Sequence, residues 1–296
     1  MAQRVVFITG CTDGGIGAAL AVTLAKKECI VYASSRSISS MSGLTHSNIR
    51  KLAVDITLDA SVEAAVKEIY EKEGRLDITI ANAGIGLTKP LLDITMDQAK
   101  GLYDTNVFGL MRTAKAIVPR MAEQVSKASS NAKRASHKPV FVVIGSIRSE
   151  ISSPWCGLYS SSKAAVRTYA ETLQMECRPL GVKVVLVNPG AITSNIVKNQ
   201  GSQAMDYILP EDSFYKDYIP AIVSTMFQSQ SKRYGTMDTS DFAEKVSQKI
   251  LSKNPPMLVR LGGGAGIMKL LQWLPRTWAL GLMWRVMSGT KWSSKS

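Results

Sequence analysis

Histidine is nearly absent from this 296-residue chain: only His46 and His137 occur, both in polar surroundings. That excludes a histidine-rich metal site, and no catalytic histidine is expected. Cysteine is scarce too, at positions 11, 29, 156 and 177, without a close pair or metal-ligand spacing. A disulfide scaffold does not suit a chain this long, so the thiols read as reduced and scattered, and no metal is assigned. Carboxylates stop at Glu244, whereas nine basic residues follow it, at 245, 249, 253, 260, 269, 276, 285, 291 and 295. Long apolar runs are missing as well. Within 262–292 the longest uncharged stretch is Thr277 to Trp284, far short of the roughly 20 apolar residues of a helical span. The opening has one basic residue before a short apolar run that passes straight into glycines and Asp13. It reads as a buried first strand in a cytoplasm-facing protein, not as a secretion signal.

What is present suffices for a folded domain. An apolar content of 45% supports a sizeable core, which argues against disorder. The length suits one catalytic domain over 1–260 with a basic, Trp-rich extension over 261–296. A net charge of +13 suggests nucleic acid at first. From Lys245 to the end, however, nine basic residues occur without an acidic one, in a stretch that holds Trp273, Trp278, Trp284 and Trp292, and no nucleic-acid recognition module accompanies them. An anionic membrane surface is the better partner.

Residues 5–9, 29–34, 76–84, 140–145 and 183–188 read as strands. Residues 16–27, 61–73, most of 94–123 and 159–177 read as helices. This alternation predicts an α/β fold: a Rossmann-type doubly wound, mostly parallel sheet with helices on both faces, followed by an amphipathic C-terminal extension. Residues 126–138 carry four basic groups and almost no large apolar ones. They read as an exposed loop, or as a phosphorylation or acidic-partner site.

The first strand runs into Gly10-Cys11-Thr12-Asp13-Gly14-Gly15-Ile16-Gly17, which opens a helix. Glycines let the backbone approach a pyrophosphate, and the helix N-terminus offers unpaired N–H groups to its charge. The bland alternative is a structural turn, which the strand–turn–helix placement disfavours. An NAD site usually has a carboxylate about 20 residues on. Here Ala33-Ser34-Ser35-Arg36-Ser37 has none, and Arg36 can neutralise a 2′-phosphate, so NADP(H) is expected over NAD(H).

Tyr159 and Lys163 stand four apart on one helical face, and Ser146 ends the preceding strand at the ligand-binding edge of such a sheet. A free phenol titrates near pH 10. A lysine ammonium about 4 Å away would favour phenolate by roughly 4 kcal/mol at an effective dielectric near 20, bringing Tyr159 into acid–base range. A Tyr-x-x-x-Lys pair alone is as readily a surface pair; the glycine loop and Ser146 give it meaning.

Together, Thr9-Gly10, Gly15-Ile16-Gly17, Asn82-Ala83-Gly84, Asn106, Ser146, Tyr159-x-x-x-Lys163 and Asn188-Pro189-Gly190 resemble the short-chain dehydrogenase/reductase family over residues 5–194. The resemblance implies that Tyr159 exchanges a proton with the substrate oxygen and Ser146 hydrogen-bonds it. Lys163 would hold the nicotinamide ribose and lower the tyrosine pKa, with Asn106 supporting it through a water-linked path. Asp55 would meet the adenine, and Asn82, Ala83 and Gly84 the ribose side. Pro189, Gly190, Ile192 and Ser194 would lie beside the nicotinamide. Two departures stand out: four residues instead of three separate the first two loop glycines, and Ala81 stands where a first asparagine is frequent.

The segment around 194–235 is rich in apolar and aromatic residues. It implies either a cover over a small hydrophobic carbonyl or alcohol substrate or ordinary core helices. The loop, Pro255-Pro256 and Leu274-Pro275-Arg276-Thr277 resemble fungal 1-acyldihydroxyacetone-phosphate reductases, for which Lys198, Lys232 or Arg233 would meet a phosphate head group. Secondary-metabolite, steroid-like or polyketide ketones are the alternative. A catalytically silent NADP-binding interaction protein is the alternative of another class, and a homo-oligomer stays open. Residues 262–292 are expected to lie on a membrane surface, divided by Pro275, with Leu271, Leu274, Trp278, Leu282 and Met283 facing it. An endoplasmic-reticulum or lipid-droplet location would suit that arrangement.

Overall fold

The first strand, β1 (Val5–Thr9), sorts its side chains into two cores. Val5 and Phe7 enter one and Val6 and Ile8 the other, because successive side chains of a strand point to opposite faces. The computed structural model describes residues 3–129, 138–194, 208–231, 235–288 and 290. After β1 come α1 (Ile16–Lys26), β2 (Ile30–Ser35), β3 (Ile49–Ala53), α2 (Asp59–Glu73) and β4 (Ile78–Ala81). Next, α3 (Met96–Tyr103) passes through a π-helical turn, Asp104–Phe108, into α4 (Gly109–Ser129). The alternation continues with β5 (Val140–Ile144), α5 (Gly157–Glu176) and β6 (Lys183–Pro189). The remainder comprises β7 (Ile192–Thr193), α6 (Ile219–Met226), β8 (Met237–Asp238), α7 (Thr239–Leu251), β9 (Leu258–Leu261), α8 (Ala265–Leu271) and α9 (Arg276–Ser288).

Seven strands form one parallel sheet in the order β3-β2-β1-β4-β5-β6-β9. Helices α2, α4 and α5 bury their apolar stripes on one face, and α1 and α7 theirs on the other. The strand order reverses between β1 and β4, and a doubly wound sheet opens its ligand crevice at such a point. The doubly wound, parallel expectation is met.

Two strands of this sheet lay outside the sequence reading. β3 reads IRKLA and β9 reads LVRL. Both are sheet edges, where charged side chains are tolerated and the apolar run that marks a central strand is lost. Helix α4 also runs to Ser129 rather than ending near Glu123. The loop expected at 126–138 is therefore helical in its first part, and residues 130–137 lie outside the described residues.

Pro275 divides the C-terminal segment into α8 and α9 as expected. Two side chains assigned to its outer surface are not there. Leu271 and Met283 are buried with Met287 against Ile151, because the helix pair packs its inner face on the rest of the chain. Ile267, Leu270, Trp273, Leu274, Trp278, Leu282 and Val286 are the exposed apolar groups. In the preceding segment, Leu209, Tyr215, Tyr218 and Ile222 pack with Trp155 and Trp284, so part of it is ordinary core. Lys198, Lys232 and Arg233 lie outside the described residues. No described helix is long and apolar enough to cross a membrane.

Candidate active site

The glycine loop leaves the end of β1 at Gly10, whose φ of +75° favours glycine and whose added Cβ would stand 2.7 Å from Ala83 Cα. The loop and the end of β4 thus touch backbone to backbone. Asn82 fastens them: its Nδ2 donates to Thr9 O and to Gly10 O, each at 2.9 Å. Thr9 Oγ1 in turn accepts from the N–H groups of Asn82 and Ala83 at 3.1 Å.

The extra loop residue is explained by its surroundings. Gly14 has φ +72°, the left-handed conformation. Beside it, Asp13 turns outward to accept from Gly43 N at 2.9 Å and Ser42 Oγ at 3.0 Å. The longer loop is therefore tied to the connection between β2 and β3. Gly15 then caps α1, whose first turn has no side-chain cap and no acidic residue. Its free N–H groups suit an anion.

A cavity of ≈890 Å³ runs from this loop past the ends of β5 and β6 to α8 and α9. Its wall includes Gly10, Thr12, Gly15, Ile16, Arg36, Asp55, Asn82, Ala83, Gly84, Ser146, Tyr159, Lys163, Pro189, Gly190, Ile192 and Ser194. Two expected site residues stand behind that wall. Gly17 packs under the loop, where an added Cβ would meet Gly10 O at 2.5 Å. Asn106 is buried in the π-helical turn and accepts from Ile85 N at 2.8 Å. Its Nδ2 donates to Ile85 O at 3.0 Å and to Ser162 Oγ at 3.1 Å. A second cavity of ≈10 Å³ has Asn106 and Lys163 in its wall. Such π turns often mark functional positions, and no periodicity in 94–123 announces this one.

Lys163 is buried and donates from Nζ to Ile144 O at 3.1 Å. Burial lowers its pKa to about 8. The Tyr159 phenol is pushed up by burial, against a hydrogen bond from Ser146 and the positive charge of Arg148. Lys163 Nζ stands 5.9 Å from the tyrosine ring centroid. In the protein alone the phenol is thus raised where a lowering was expected, burial being the largest cause and the Arg148 guanidinium the cation that opposes it. Asp55 is held below the usual carboxylate range by Thr57, whose hydroxyl and N–H donate to Oδ1 at 2.7 and 2.9 Å.

Three contributors escaped the sequence reading. Arg148 lines the cavity two residues after Ser146, and its N–H donates to Ser146 Oγ at 3.1 Å. Glu150 is fully buried, and its Oε1 accepts from Asn188 Nδ2 at 2.9 Å and Arg260 Nε at 2.7 Å. Met268, Leu271, Met283 and Met287 from the C-terminal helices close the far end of the cavity. A lone cation just past a strand end was the available signal for Arg148; no motif carries it.

The geometry agrees with comparisons to known proteins. The short chain dehydrogenase family model matches residues 4–205. A short-chain dehydrogenase of Penicillium crustosum is 31% identical over 255 residues, 86% of this chain and 86% of its own. An NADPH-dependent 1-acyldihydroxyacetone phosphate reductase of Schizosaccharomyces pombe is 30% identical over 218 residues, 73% of this chain and 69% of its own. It stands no nearer than the Penicillium protein, so the narrower resemblance is not singled out. A solved short-chain dehydrogenase from Streptomyces avermitilis superposes with a TM-score of 0.74 at 22% identity, covering 90% of this chain and 91% of that one, which speaks for the fold. Motifs, sheet order and family match coincide, and the chain belongs to the short-chain dehydrogenase family of oxidoreductases.

Proposed function

We propose that this enzyme reduces a ketone on a hydrophobic substrate to a secondary alcohol, or runs the reverse reaction, with NADP(H). The carrying observation is the Ser146, Tyr159 and Lys163 cluster, set where an anion-ready glycine loop meets an apolar chamber in one cavity. The loop residues Gly10, Thr12, Gly15 and Ile16 would hold the pyrophosphate, and Arg36 the 2′-phosphate. Asp55 would meet the adenine, Asn82, Ala83 and Gly84 the ribose side, and Pro189, Gly190, Ile192 and Ser194 the nicotinamide. When bound, NADPH supplies the hydride.

In reduction, Ser146 holds the carbonyl oxygen and Tyr159 gives it a proton, so that C=O becomes CH–OH. Lys163 holds the nicotinamide ribose and stands beside the tyrosine. Asn106 positions Lys163, and the ≈10 Å³ cavity beside both has room for a single water that relays a proton. An acylated glycerone phosphate is the leading substrate, since its apolar chain suits the methionine- and leucine-lined end. The test is an NADPH-consumption screen of the purified protein across acylated glycerone phosphates, steroids, quinones and polyketide ketones. NADPH oxidation with at least one ketone is expected; none across the panel overturns the reading.

The outer face of the C-terminal helices is proposed to rest on an anionic membrane surface, on the cytoplasmic side of the endoplasmic reticulum or on a lipid droplet. Leu270, Trp273 and Trp278 are exposed and lie outside the cavity wall, to which Leu282 and Val286 belong. Because the inner face covers Ile151, substitution is a cleaner test than truncation. Full-length protein should float with anionic liposomes at low salt, and Trp273→Ser with Trp278→Ser should reduce it. A parent that stays soluble at low and moderate salt would reject the membrane role.

A further inference from the structure

We infer that Arg148 forms an oxyanion-binding subsite beside the reacting carbonyl, so that the substrate is an apolar molecule bearing a carboxylate or phosphate a few bonds from its ketone. The inference deepens the proposed ketone reduction and rests on it. Apart from Lys163 beneath Tyr159, Arg148 is the one charged side chain among the described residues on the substrate side of the cavity wall. Arg36 and Asp55 belong to the opposite end. No described carboxylate lies within ion-pair distance of the guanidinium, and Glu150, two residues on, is committed to Arg260 and Asn188.

The guanidinium is nonetheless held in place. One terminal nitrogen donates to Ser153 Oγ and the other to Gln228 Oε1. Gln228 is itself braced by α9, since its Nε2 donates to Met287 Sδ at 3.6 Å. Both partners of Arg148 are neutral, so they orient its positive charge without cancelling it. A guanidinium offers more donors than these two bonds use, in a planar fork that matches carboxylate and phosphate oxygens.

A fixed cation with no counter-ion, half-buried in a cavity whose wall also carries methionine and leucine side chains, is costly unless a ligand completes it. Its position limits the ligand further. Arg148 follows Ser146 closely, and its charge acts on the Tyr159 phenol. An oxyanion bound there sits near the carbon being reduced, whereas the apolar body extends toward Met268, Leu271 and Met283. A ketone carrying an ammonium group in the same place is excluded by the same charge.

The experiment uses four long-chain ketones that differ only in the group beside the carbonyl: carboxylate, methyl ester, phosphate monoester and ammonium. Initial rates with NADPH give kcat/KM for the parent, Arg148→Gln and Arg148→Lys. The parent should prefer at least one anion over the ester by about ten- to a hundredfold, the range of a charge-assisted pair. Arg148→Gln should collapse that ratio, chiefly through KM, and Arg148→Lys should restore part of it. The carboxylate and phosphate arms separate an oxo acid from a phosphorylated lipid. A parent indifferent to charge, a preference for the ammonium ketone, or a ratio unchanged in Arg148→Gln overturns the subsite. If no ketone turns over, the proposed reaction fails separately. Calorimetric binding of dodecanoate against dodecanol to the same three proteins then decides the subsite: binding that is independent of charge in the parent rejects it.

Discussion

The two ends of the cavity are built on different principles. At the cofactor end, backbone meets backbone: Gly10 lies against Ala83, Asn82 bonds two carbonyls of the loop, and Asp13 pins the loop to Gly43. At the substrate end, helices added after the last strand present methionine and leucine side chains, and their outer edge is exposed. The first construction leaves little room for substitution. The second uses flexible side chains that fill irregular space and tolerate exchange. One end is thus set by chain geometry and the other by volume, and the reacting groups sit at the seam.

The largest test of that division is Tyr159→Phe. It keeps the ring at the seam but removes its proton, so turnover should fall by about 10²–10⁴-fold. NADPH affinity, measured by titration, should change little. Loss of both together would mean that the tyrosine belongs to the cofactor end alone.

Lys163→Met probes the cost of placing a charge at the seam. The lysine pKa falls from 10.5 to about 8 on folding. Below pH 8 the folded protein holds the charged group at a penalty, and that penalty fades as pH rises from about 8 towards 10.5. Lys163→Met should therefore be more stable than the parent at pH 7 by about 1–3 kcal/mol, allowing for the lost bond to Ile144 O. The gap should close by pH 10, while turnover drops. Denaturant unfolding at the two pH values checks both signs; a gap independent of pH would show that the lysine is not desolvated.

Arg36→Ala should lower NADPH affinity about tenfold and leave NADH affinity nearly unchanged, the loss of one charge-assisted contact. Equal loss for both cofactors would point to a general role in the loop. Met283→Leu should be the mildest. A volume-conserving exchange costs below about 1.5 kcal/mol, and it should alter the preferred substrate chain length without touching cofactor affinity. A change in NADPH binding would erase the distinction between the two ends.

The same division governs what could be read from residue order. Positions tied to backbone geometry were legible, because a glycine at a strand end, a Tyr-x-x-x-Lys spacing and a serine past a strand are local signals. Almost all of those residues meet in one wall. The exceptions, Gly17 and Asn106, support it from behind. The edge strands β3 and β9 were hidden by the charges that edges permit. The inner and outer faces of α9 were confused, since both are apolar: Met283 is buried and Trp278, one turn and a residue before it, is exposed. Arg148 was illegible for another reason. Its meaning depends on which neighbours lack a negative charge, and only the folded arrangement specifies them.

The pairing of Glu150 with Arg260 bears on when an active site exists during synthesis. The two are 110 residues apart, and the carboxylate lies four residues after Ser146. A ribosome releases Glu150 long before its cation, and enclosing that charge alone costs several kcal/mol. The nascent segment behind Ser146 therefore keeps its carboxylate in water until β9 arrives and completes the sheet. A chain interrupted before Arg260 holds the glycine loop, the tyrosine and the lysine, yet not the closed wall in which they work. Maturation of the catalytic centre is thereby coupled to delivery of the very segment that carries the substrate-covering helices.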